Sequence, residues 1–67
     1  MYQVKVYERY RGVIGTVMLP FVPKVGESIE MNDWPIYITS VVIHCDPHNQ
    51  FSYISVYGDR REWNSYR

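Results

Sequence analysis

The run "IYITSVVIHC", Ile36 to Cys45, limits this chain more than any other stretch. It is β-branched almost throughout and apolar at alternate positions of both parities, so it reads as a strand. A strand apolar on both faces is central and twice covered, or strongly coiled. Elsewhere the dominant period is two, and no segment sustains a helical period over three turns. In "MYQVKVYERY", Tyr2, Val4, Val6 and Tyr10 share a face interrupted by Glu8, while Gln3, Lys5, Tyr7 and Arg9 share the other. That is a half-buried strand.

Turn chemistry divides the rest. Arg11-Gly12 reads as a tight turn before a second strand, Val13 to Leu19, in which Gly15 marks a bulge or bend. Pro20 and Pro23 exclude regular pairing across "PFVPKVGE", and Gly26 punctuates that loop. Ser28 to Met31 reads as a short third strand, and "NDWP", Asn32 to Pro35, as a turn. "DPHNQ" turns the long strand back into Phe51 to Gly58. The expected fold is all-β, a small five- or six-stranded antiparallel barrel or strongly coiled sheet. It forms one domain over residues 1–67, with 59–67 as an arm or a final strand. Closure removes exposed edges, which a chain this short cannot cover with helices.

At 67 residues, with Cys45 the only cysteine, no intramolecular disulfide is available. Chains of this size bury only about 60% of their unfolded surface. A dense aromatic core, a metal or self-association must supply the remainder. Aromatics reach 16%, including seven tyrosines, enough for a core and common at interfaces. Self-association is expected, because "IYITSVVI" and "FSYISVY" carry more apolar surface than so short a chain easily covers. Seven basic and seven acidic residues cancel, which argues against a general nucleic-acid binder. Nothing is apolar for long enough to span a membrane as a helix. The alternating N-terminus is unlike a signal peptide, and a lone thiol fits a cytoplasmic location.

"HCDPH" holds the residue types that bind zinc. In a strand, however, His44 and Cys45 point to opposite faces, and Pro47 makes a turn before His48 can join them. Two histidines and one cysteine fall short of a four-ligand site, so neither a metal nor another cofactor is expected. Cys45 is expected to be a buried small hydrophobe. A catalytic thiol needs an exposed, electropositive setting, and no Ser-His-Asp spacing is legible, so an enzyme is not expected.

The tail "DRREWNSYR" interleaves Arg60, Arg61 and Arg67 with Trp63 and Tyr66. These are protein-interface residue types, and they also stack on bases and clamp phosphates. Trp34, in a turn, either folds over the core or meets a partner. Phe21 sits in a proline-stiffened loop that loses little entropy on binding. Phe21, Trp34, Arg60, Arg61, Trp63 and Tyr66 are therefore the candidate partner-binding residues. The alternative is a small ligand, nucleotide or single-stranded nucleic acid held by the Arg/Tyr/Trp tail.

"LPFVPKVGESIEM", then "YITSVVIH", a polar turn and "YISVY", resembles a pattern in SH3-like small barrels, often short phage-encoded accessory proteins. The resemblance covers Leu19 to Tyr57. It implies a protein that acts by binding, blocking or sequestering a host component in the host cytoplasm. It carries over no catalytic residue.

Overall fold

The computed structural model describes residues 1–31 and 33–60. They form five strands and no helix: β1 (Tyr2–Glu8), β2 (Gly12–Leu19), β3 (Ser28–Met31), β4 (Trp34–Cys45) and β5 (Phe51–Arg60). One sheet contains them all in the order β2-β1-β5-β4-β3, curled into a half-barrel. The all-β architecture expected from the sequence is present as a strongly curled sheet, consistent with a small SH3-like barrel or a coiled sheet. Its pairing is not wholly antiparallel, because β1 and β5 run parallel, with Val4 opposite Ile54 and Tyr7 opposite Tyr57. Parallel neighbours need a long crossover, and here β2, β3 and β4 supply it.

Alternation aims Val4 and Val6 of β1, Ile36 and Ile38 of β4, and Ile54 and Val56 of β5 into the concave face, where all six are buried. Ile14, Val17, Leu19, Val22, Ile29, Met31 and Val41 pack around them. Glu8 continues the inward parity of β1 and is also buried. Its carboxylate lies 3.6 Å from the Arg11 guanidinium, which supplies the opposite charge a buried carboxylate requires. Tyr10, which alternation placed on that face, lies beyond the end of β1 and is exposed.

Two hairpins use one device. Arg11 N donates to Glu8 O, and Gly12 follows at φ 78°. Likewise Asn49 N donates to Asp46 O, and Asn49 itself adopts φ 63°. A turn closed by a left-handed residue is a standard antiparallel connection, and glycine and asparagine tolerate that conformation best. The Asp46 carboxylate also accepts from the amides of His48 and Gln50. Beside Gly15 the β1–β2 register slips, pairing Val6 with Gly15 but Tyr7 with Val13. The bulge inferred from Gly15 is therefore present, with Ile14 as the extra residue.

Two boundaries move, and one strand is less enclosed than expected. β4 starts at Trp34, so Pro35 lies in the strand. Its missing N–H is tolerated because, among the described residues, β5 pairs with β4 only from Ile36 onward. β5 runs to Arg60, which takes Asp59 and Arg60 out of the expected tail. Most consequential, β4 is central only in its first half. β3 pairs with Trp34–Tyr37, and Gly26 and Glu27 extend that ladder to Ile38. From Thr39 to Cys45, among the described residues, β4 has β5 on one side and no strand on the other. Cys45 is accordingly exposed rather than buried.

Candidate functional site

At one end of the half-barrel the edge strands converge. A Cβ added at Gly15 in β2 would lie 2.7 Å from Met31 Cε in β3. Trp34 and Arg60, from neighbouring strands, complete this end. The Arg60 guanidinium carbon sits 4.0 Å from the centre of the Trp34 ring, a cation–π contact. Arg60 Nε is buried with no hydrogen-bond partner among the described residues. The cleft between this pair, Glu8 and Arg11 measures about 50 Å³, room for waters but not for an organic ligand. Two of the candidate partner-binding residues therefore meet, and one face of Trp34 is already covered. Arg61, Trp63 and Tyr66 lie outside the described residues.

Phe21 has a different setting. It is 53% exposed and shares a groove of about 530 Å³ with Leu19, Pro23, Glu27, Ser28 and Ile29. The loop that carries it is built to hold still. Lys24 N donates to Glu27 Oε1, Glu27 N donates to Lys24 O, and Gly26 at φ 97° turns the chain so that its N–H reaches Ile38 O. Pro23 is buried and anchors the middle of the loop. The Phe21 groove and the Trp34–Arg60 cleft share no lining residue, so these are two sites rather than one patch.

The convex face of the sheet carries a third cluster, which sequence reasoning did not assemble. Parallel β1–β5 pairing sets Tyr7 against Tyr57, stacked with ring centres 4.7 Å apart. Antiparallel β4–β5 pairing sets His44 against Tyr53, stacked at 4.2 Å, and Lys5 Nζ lies 4.9 Å from the centre of the Tyr53 ring. His44 Nε2 and Ser55 Oγ share a hydrogen bond of 2.8 Å, which satisfies a serine only 1% exposed. Beside the tyrosine pair, a groove of about 520 Å³ is lined by Tyr7, Arg9, Thr39, Tyr57 and Asp59, among others, with Arg9 Nη1 3.6 Å from Asp59 Oδ2. The spacing Tyr53, Ser55, Tyr57 was a readable hint of one face. Its pairing with Lys5 and Tyr7 depends on a parallel register that alternation does not encode.

The "HCDPH" stretch separates as strand parity requires. His44 faces the convex side with Ser55 and Tyr53, Cys45 falls in the next position along the strand, and His48 sits in the turn held by Asp46. Among the described residues no three His, Cys, Asp or Glu side chains gather as a metal site. No helix of the described residues is long and apolar enough to cross a membrane. Compared with known proteins, the chain matches no protein-family model, no curated protein and no solved structure.

Proposed function

We infer that this chain is a non-enzymatic binding protein whose partner is another protein, seated in the groove beside Phe21. The observation that carries this reading is a large aromatic side chain left exposed on a loop that two prolines, a turn and two backbone bonds to β4 hold rigid. Leaving about half of Phe21 in water forgoes burial worth about 1 kcal/mol, a sacrifice that a bound partner recovers. A preordered loop loses little entropy on association, and an aromatic anchor in an apolar groove is the usual centre of an interface. The resemblance to phage-encoded small barrels makes the partner a host protein, blocked or sequestered in the host cytoplasm.

The test is affinity capture from bacterial lysate with the unaltered chain and with Phe21→Ala, followed by titration of the captured protein. Truncating the anchor is expected to weaken binding tenfold or more, in keeping with the ~2 kcal/mol typical of a hot spot. Equal affinity for the two chains would overturn the assignment of the groove.

A second reading rests on the convex face. Lys5 and the rings of Tyr7, Tyr53 and Tyr57, with Arg9 paired to Asp59 beside them, form an aromatic surface carrying cations of the kind that stacks nucleotides or single-stranded nucleic acid. Titration of an oligonucleotide at increasing salt separates the two. Phosphate contacts give affinity that falls steeply with salt, and Tyr57→Ala would reduce it. A protein partner held at Phe21 predicts neither effect.

A further inference from the structure

The second half of β4 raises a separate question. Sheet edges are templates for another strand, and proteins protect them with lysine, proline, inward charges, β-bulges or a covering segment. From Thr39 to Cys45 the sequence is "TSVVIHC", which contains no proline, no lysine and no formally charged residue; the β4–β5 register shifts at Thr39 and again between His44 and Cys45, so the regular part is Ser40 to His44. No strand among the described residues pairs with its outer side. Val42 on the convex side is 40% exposed and Ile43 on the concave side 56% exposed, so the free edge is flanked by apolar surface on both faces.

We propose that this edge pairs with the same edge of a second copy of the chain, antiparallel about a two-fold axis through Val42. Val42 is the midpoint of the segment and of its regular part, Ser40 to His44, so this register centres on the regular pairing. Val42 then faces Val42, Val41 faces Ile43, Ser40 faces His44 and Thr39 faces Cys45. Apolar residues meet apolar ones and polar residues meet polar ones, and no like charges are opposed. An isologous interface must be complementary to itself, and this stretch is. Opposed β-branched and Thr/Ser pairs contribute favourably across such a ladder, and only like charges, which this register lacks, would oppose it. Pairing joins two half-barrels into one continuous sheet and satisfies the outward backbone groups of both edges. It leaves the Phe21 groove free, so it stands independently of the partner-binding reading.

Cross-linking tests the register directly. Opposed Val42 Cα atoms would be about 4.5–5.5 Å apart, within disulfide range. Val42→Cys in a Cys45→Ser background is expected to form a covalent dimer under mild oxidation. Thr39→Cys is expected to do the same through the native Cys45 of the other copy. Cys45 alone is expected not to, since its twin would lie about 20 Å along the strand at ~3.3 Å per residue. Sedimentation should give twice the 8.0 kDa of one chain, and Ser40→Lys or Val42→Lys should return it to monomer with its far-UV circular dichroism unchanged. A chain monomeric at ~100 µM would overturn the proposal. If the Thr39–Cys45 amides of such a monomer were also protected from exchange, its own remaining residues would be the occupant of the edge. A dimer indifferent to both lysines, or cross-linked best through Cys45 alone, would also overturn it.

Discussion

Gly58 and Gly15 look alike in the sequence, and their surroundings make them opposites. A Cβ at Gly58 would run into the carbonyl oxygen of Tyr37 and into Ile36 Cγ2 at 2.7 Å. Both belong to the paired strand β4, so backbone would have to shift. At Gly15 the obstacle is the terminal methyl of Met31, a flexible group that can turn aside. Gly58→Ala is therefore expected to destabilise the fold by about 2–4 kcal/mol, and Gly15→Ala by less than ~1 kcal/mol. Urea unfolding of the two variants checks the contrast, and similar midpoints would contradict it. Asp46 offers a second measurement. Its carboxylate holds two amides of the β4–β5 turn, so Asp46→Ala should cost about 1–2 kcal/mol. Asn49→Gly, which keeps the left-handed conformation, should cost almost nothing.

Among the strands, position in the sheet ranks stability more than strand length does. β1 and β5 are paired on both sides and carry four of the six buried core residues. β3 has only four residues and, among the described residues, one neighbouring strand. Amide exchange should accordingly be slowest in β1 and β5 and fastest in β3. The 12-residue β4 should divide internally, protected from Trp34 to Ile38 and, in dilute protein, less protected on its outer amides beyond Thr39. Ile54→Ala, in the central strand, should lower stability by about 2–5 kcal/mol. Uniform protection along β4 at low concentration would mean that its second half is covered within one chain. These elements were largely legible beforehand. The turn residues bounded all five strands, and β3 lies where Ser28 to Met31 was expected. The boundaries that moved, at Trp34 and Arg60, did so because cross-strand pairing extended segments that local turn chemistry would have ended.

Among the described residues the molecule is a half-barrel whose edge strands approach each other at Gly15 and Met31 and whose β4 has one unpaired side beyond Ile38. If two such edges join, folding and association are linked, and the thermal midpoint should rise as protein concentration is raised. The Val42→Lys variant should lose that dependence. A midpoint constant across a hundredfold range of concentration for the unaltered chain would argue for a self-sufficient monomer. The candidate site was only partly legible at this scale. Phe21 could be singled out because prolines flank it. The convex cluster of Lys5, Tyr7, Tyr53, Tyr57 and His44 could not, because it assembles from three strands whose order β1-β5-β4 has no local signal.

The sequence by itself determined an all-β chain, its turns, the Gly15 bulge and the separation of His44 from Cys45. Each follows from strand alternation or from the backbone preferences of glycine, proline, asparagine and aspartate, which act over a few residues. Only the tertiary structure decided that β1 and β5 lie parallel, that Glu8 is buried beside Arg11, and that Arg60 stacks on Trp34. It also decided that the apolar run Ile36 to Cys45 has strands on both sides in its first half and, among the described residues, on one side only in its second. Periodicity reports which side of a strand is apolar. How far its neighbours extend along it depends on the lengths and order of the other strands, which are properties of the assembled sheet.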